Sequence, residues 1–157
     1  MRRNDREVKN IDEIERIIKC CMVCHLGIHH TPYPYVVPLS FGYTRVDDTF
    51  ALFFHCAQEG KKLRLMRLNP FVSFAMECNA QLITGEEACR YSMEYESVCG
   101  SGTISKVMGD EKVQAFEAIL RHYDPSRSFS FPEKEMSATA ILRLDVLHIT
   151  GKRNIRS

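Results

Sequence analysis

Three runs of this sequence carry residues that could do chemistry. The first is Phe53-Phe54-His55-Cys56-Ala57-Gln58-Glu59-Gly60-Lys61-Lys62-Leu63, where a strand-like segment passes through a tight turn of small residues into a helix-like one. Free amides at a helix N-terminus favour an anion, and two adjacent ammonium groups add charge, so Gly60, Lys61 and Lys62 could seat a phosphate. Acidic residues normally occupy a helix's first turn. Lysines there make sense if a ligand brings the negative charge; the competing explanation is an ordinary solvated face. The run is not a P-loop, because Gly-x-x-x-x-Gly-Lys-Ser/Thr is absent, and Gly100 with Gly102 does not complete a Gly-x-Gly-x-x-Gly. His55, at the strand end beside this turn, is the one histidine placed for acid or base work, or else a strand-end residue with a satisfied hydrogen bond.

The second run is Tyr33 to Thr44. Its odd positions, Tyr33, Tyr35, Val37, Leu39, Phe41 and Tyr43, are large and apolar, whereas its even positions include Pro34, Pro38, Ser40 and Gly42. One face fills a core and the other is kept thin. Pro38 cannot donate to a ladder, so pairing is interrupted there or the strand lies at an edge. A thin face with exposed backbone suits a flat ligand lying against the main chain, or a plain edge strand. The third run, Cys21-x-x-Cys24-His25, spells the attachment motif of c-type haem, but no export signal accompanies it and no second cysteine pair completes a zinc site. Cys21 and Cys24 read as small buried residues, and His29-His30 as part of a loop.

The elements that must position these runs are short. Apolar residues at Val8, Ile11, Ile14, Ile17, Ile18 and Cys21 mark a first amphipathic helix, with Asn10 and Glu13 as a capping box. Strands are expected over Met22–Ile28, Tyr33–Thr44, Thr49–His55, Pro70–Cys78, Ser92–Val107 (bent at Gly100 and Gly102) and Thr139–Thr150. A short helix over Lys61–Leu68 is stopped by Asn69-Pro70, and another follows over Asp110–Tyr123. Asn79–Arg90 and Asp124–Glu135 read as loops. The sum is a mainly β, α+β domain of 157 residues: a small antiparallel six-stranded barrel with three flanking helices.

Composition excludes several classes. With 21 Lys+Arg against 20 Asp+Glu, net charge +1, the chain lacks the basic excess that nucleic acid binding needs. No apolar run reaches the roughly 18–20 residues of a membrane span. An odd count of seven cysteines and a charged first stretch point to a cytoplasmic protein with reduced thiols.

The run Pro34–Tyr43, then Phe54–Lys62, then Asn69-Pro70-Phe71-Val72, resembles the signature of the five-nitroimidazole-resistance (Nim) proteins. Ala88–Gly102, Asp110-Glu111-Lys112 and Ile149-Thr150-Gly151-Lys152 resemble the same family, and the likeness extends from Arg2 to Lys152. That family belongs to the pyridoxamine 5′-phosphate oxidase-like flavoproteins of FMN-binding split-barrel fold. The resemblance implies an FMN whose isoalloxazine is bordered by Val37, Pro38, Leu39 and Ser40, with Phe54, His55 and Ala57 lining the adjacent turn. It implies that Gly60, Lys61 and Lys62 hold the phosphate, and that Ser97 and Val98 flank the slot. It further implies a homodimer with the flavin near the subunit interface, to which Lys152 contributes. The family commonly has a small residue where this chain carries Cys56 and Cys99.

The activity implied is a two-electron cycle in which a nicotinamide donor, NADH or NADPH, reduces FMN and a small electron-poor acceptor such as a nitroaromatic is reduced in turn. The cofactor carries that chemistry and the protein positions it, with His55 as the proton or hydrogen-bond donor. The alternatives are a non-catalytic flavin or haem carrier, a ligand-free structural dimer, and a pyridoxamine 5′-phosphate oxidase. The last lacks an arginine-rich motif for a substrate phosphate.

Overall fold

The computed structural model describes residues 4–155; Arg2, where the family likeness begins, lies outside them. Asn10 caps α1 (Ile11–Cys20), its Oδ1 accepting from the amides of Asp12 at 2.8 Å and Glu13 at 3.1 Å. The reciprocal half of the expected capping box is replaced, because the Glu13 carboxylate turns to Arg16 and Arg153. The strands are β1 (Glu7–Val8), β2 (Cys24–Ile28), β3 (Tyr35–Leu39), β4 (Gly42–Val46), β5 (Thr49–Ala57), β6 (Phe71–Ile83), β7 (Ser92–Lys106) and β8 (Thr139–Asn154). The remaining helices are α2 (Lys61–Leu68), α3 (Glu111–Tyr123) and α4 (Glu133–Ala138).

Eight strands replace the expected six for two reasons. Glu7–Val8 adds a short strand against β8, and the segment Tyr33–Thr44 is two strands. Its apolar alternation does run inward from Tyr35 through Phe41, but Tyr33 is exposed and the ladder breaks at Ser40-Phe41. Two further corrections follow from pairing. β6 continues through Asn79 to Ile83 against β7, past a register shift between Cys78 and Gln81, so part of the expected loop is strand. The turn-rich stretch before β8 ends in α4. The bend expected near Gly100 and Gly102 is a register shift in β7–β8 between Ser101 and Gly102.

The sheet runs β3-β2-β6-β7-β8-β5-β4, antiparallel throughout, with β1 on β8. Its two ends, β3 and β4, are consecutive in sequence and joined by Ser40 and Phe41 alone. Three virtual bonds span about 11 Å at most, so the sheet has to curl until its ends meet. Side chains close that seam. The Phe41 amide donates to the Tyr123 hydroxyl at 2.9 Å, which itself donates to the Met22 carbonyl at 2.9 Å. His122 donates through Nε2 to the Cys21 carbonyl at 2.8 Å, and its ring lies 4.4 Å from that of Phe41. Gly42 is required here, since a Cβ would sit 2.3 Å from the Ala118 carbonyl oxygen of α3.

The barrel core contains Leu26, Phe41, Leu52, Phe54, Phe74, Met76, Val98 and Leu144, joined by Ile14, Ile17 and Ile18 of α1 and Leu63 and Met66 of α2. A second cluster, with Phe53, Ile119 and Ile141, forms where α3 covers β5 and β8. Cys21 and Cys24 are fully buried, and burial pushes the Cys24 thiol up to about 12, so both are unreactive core residues.

One carboxylate stands out for its burial. Glu96 is 2% exposed, and it accepts from Arg153 Nε at 2.7 Å, Asn79 Nδ2 at 2.8 Å and Arg16. Burial alone would raise its pKa; the bonds from Arg16, Asn79 and Arg153 outweigh that and hold it below the ordinary value. A depressed folded pKa contributes stability above the unfolded value, about 4.3, and loses it as pH falls through the folded one. Glu96→Gln should flatten the acid limb of a melting-temperature profile. Glu96→Ala should cost about 2–3 kcal/mol in denaturant titration, by loss of charged hydrogen bonds whose arginine partners remain partly exposed.

Candidate functional site

β5 ends at Ala57, and the turn that follows is tied down from one side. Gln58 Nε2 donates to the carbonyls of Ser137 at 2.7 Å and Thr139 at 3.1 Å, while Lys106 Nζ donates to Gln58 Oε1 at 2.8 Å. The turn closes on Gly60, whose φ of 145° and ψ of 171° lie in a region open essentially to glycine. α2 then starts on Lys61 with no acidic residue in its first turn and no side-chain cap on its amides. Lys61 Nζ sits 4.9 Å from the centroid of the Tyr35 ring, which brings the helix start against the beginning of β3. Lys62 and Lys106 both pull the Cys56 thiol downward, although burial outweighs them and raises it. The end of the barrel beside α2 is therefore locally positive in a chain of near-zero net charge.

The structure places the other expected residues as follows. Val37 and Leu39 are half-buried and face inward; Pro38 and Ser40 are exposed. β3 is an edge strand paired only with β2, which accommodates the missing amide of Pro38. Phe54 and Val98 are fully buried in the barrel core, so only their main chain can meet a ligand. His55 is exposed on the face of β5 toward α3, with its ring 5.9 Å from Phe116. Ser97 pairs with Lys152 of β8 and with Glu77 of β6. Lys61, Tyr35 and the β3 main chain thus come together. Ser97 lies three strands away from β3, about 14 Å across the sheet at 4.8 Å per strand.

Two features escaped the sequence. Tyr35 as a platform for Lys61 has no local signature. His25, absorbed in the Cys-x-x-Cys-His pattern, is the residue directly opposite Pro38 in the β2–β3 ladder, a fact that only the register reveals. The outer face of β3, β2, β6 and β7 carries Val36 (58% exposed) and Phe71 (65%), bordered by Leu147 of β8 (62%). A groove of about 590 Å³, floored by Phe71 and Leu147 with His29 and His148 at its sides, runs over this face. Among the described residues no three His, Cys, Asp or Glu stand together as metal ligands, and no helix is long and apolar enough to cross a membrane.

A curled antiparallel sheet with adjacent open ends and helices packed on its core defines a split-barrel protein. The family model described as pyridoxamine 5′-phosphate oxidase matches residues 10–153, and the chain belongs to that family. It is similar to a candidate 5-nitroimidazole antibiotic resistance protein from Bacteroides thetaiotaomicron, at 29% identity over 93% of this chain and 85% of that one, TM-score 0.80. A flavocytochrome from Azotobacter vinelandii shares the fold at 17% identity over 99% and 72% of the two chains, TM-score 0.81. So does an FAD and haem binding protein from Mycobacterium smegmatis, at 17% identity over 96% and 74%, TM-score 0.82. No curated protein matches.

Because Gly60 occupies a conformation other residues resist, Gly60→Ala should lower unfolding stability by about 1–3 kcal/mol. A melting-temperature comparison checks this, and an unchanged stability would mean the turn is relaxed in solution.

Proposed function

We propose that this protein is an FMN-dependent oxidoreductase, working as a cytoplasmic homodimer, that passes two electrons from NADH or NADPH to a small acceptor such as a nitroimidazole. The observation that carries this reading is the uncapped, doubly cationic start of α2 held against β3 by the Lys61–Tyr35 contact. The family match and the likeness to a candidate nitroimidazole resistance protein support it, as do the flavin-binding names of two structures that share the fold. Seven free cysteines fit a reducing compartment.

The donor set suits this cofactor. The amides at the start of α2 with Lys61 and Lys62 offer a phosphate dianion both donors and charge. Among the described residues neither lysine has a carboxylate within 4.0 Å to compete. From Tyr35 to Leu39, β3 advances about 13 Å at 3.3 Å per residue, enough for a ribityl chain and ring to lie along Val37, Pro38, Leu39 and Ser40. When bound, FMN supplies hydride chemistry. The protein's part is to orient the ring through the main chain of β3 and of Phe54 and Ala57, and to offer a hydrogen bond from His55. Because Ser97 lies three strands and Lys152 four strands from β3 along the sheet of one chain, they serve this slot from a second copy seated on the exposed outer face. There Val36, Phe71 and Leu147 would be buried.

Lys61→Ala/Lys62→Ala should weaken FMN binding about 10- to 100-fold per lysine, the worth of a charged hydrogen bond. Fluorescence quenching on titration with FMN measures this, and an unaltered Kd would remove the lysines from the phosphate site. The unmodified protein should purify yellow or take up added FMN; a protein that remains colourless and ignores FMN contradicts the proposal.

A further inference from the structure

We infer that the groove on the outer side of β2, β3 and β6, lined by Met22, Val23, Pro38 and His25 and sharing no residue with the Phe71–Leu147 groove where the second copy is seated, admits the electron-poor acceptor, and that His25, beside Glu77, supplies a proton to it. This rests on the flavin reading above, since Pro38 is shared between the groove and the proposed ring slot.

Register carries the argument. His25 on β2 stands opposite Pro38 on β3 and opposite Ala75 on β6, and all three point outward from the barrel. Directly opposed side chains have Cβ atoms about 4.5–5.5 Å apart, so the imidazole is immediate neighbour to the slot's exposed proline. On its other side Ala75 is small and leaves the ring uncovered. Glu77, two residues along the same face of β6, places Oε2 4.0 Å from His25 Nδ1. That contact sets the Nδ1 edge of the ring toward Glu77 and leaves Nε2 on the opposite edge. The groove has a volume of about 580 Å³, with Met22 and Val23 forming an exposed apolar lip and Cys20, Cys78 and Asn79 the rest of its wall. The titratable groups around His25 are Glu77 and the Cys20 and Cys78 thiols of the groove, then Cys99 opposite Ala75 on the same face and Lys152 beyond Ser97, the residue opposite Glu77; among the described residues no ammonium or guanidinium lines the groove itself. An apolar lip beside one imidazole donor suits a small flat ring bearing an oxygen that gathers negative charge as it is reduced.

The proton is required by stoichiometry. Reduction of a nitro group to nitroso by a nicotinamide donor reads R–NO2 + NAD(P)H + H⁺ → R–NO + NAD(P)⁺ + H2O. The donor's hydride brings both electrons and one of the two hydrogens of the water released. The second hydrogen is the proton, which His25 gives to the departing oxygen before taking another from solvent. His55 faces α3 on β5 and is not a neighbour of Pro38, so its role and that of His25 are separate.

The test follows the ring carbon–proton signals of the six histidines by NMR while 2-methyl-5-nitroimidazole is added, with and without FMN. The His25 signal should move and the His55 signal should not. His25→Gln should lower kcat for nitro reduction about 100-fold, in line with loss of a general acid, with KM within about twofold and FMN affinity unchanged. A His25 signal that ignores the nitroimidazole, or wild-type kcat in His25→Gln, overturns the inference. Failure to bind FMN overturns the flavin reading instead, and the NMR titration separates the two.

Discussion

The two-residue connection between β3 and β4 is the constraint on which the rest depends. Those strands are the free ends of a sheet that cannot stay flat, because Ser40 and Phe41 must bridge them. Curling brings the ends together, yet Pro38 has no amide to offer and the seam carries no ladder. Tyr123 and His122 of α3 close it by bonding to Phe41, Met22 and Cys21. The barrel thereby gains a strand, β3, that is fixed in place and still bare along one edge. Exposed main chain held rigidly is what a flat, polar-edged ligand needs, and a fully closed barrel would not provide it.

The second half of the site depends on the same closure. α2 packs Leu63 and Met66 into the barrel core, which fixes the direction of its N-terminus, and Gln58 pins the preceding turn to the head of β8. Gly60 supplies a backbone conformation that lets the chain reverse there. Lys61 is consequently delivered to Tyr35 by packing elsewhere in the molecule, and its charge is left for an external partner. On the far wall, buried Glu96 gathers the partly exposed Arg16, Arg153 and Asn79, holding α1, β6, β7 and β8 in register next to Ser97 and Lys152.

Much of this was legible in the sequence because it is local. The Asn10 cap, the start of α2 at Lys61, its end at Asn69 and the inward alternation from Tyr35 to Phe41 follow from neighbouring residues, and the structure has them. The family likeness was legible too, through several separated motifs in order along the chain. What was not legible depends on register and on distant partners. A run of alternating residues does not announce that Ser40-Phe41 is a corner, because the pattern continues across it while the hydrogen-bond partner changes from β2 to β5. β1 is two residues long and gains its identity only from Gly151 and Lys152. The neighbourhood of His25 and Pro38, like that of Lys61 and Tyr35, is a product of the fold.

The most direct measurement is a crystal structure of the protein grown with FMN. The account predicts a phosphate within hydrogen-bond reach of the Lys61 and Lys62 amides and side chains, with the ring system along the main chain of Val37 to Ser40. A flavin seated elsewhere, for instance in the groove over Phe71 and His148, or a slot filled by the protein's own side chains, would contradict it.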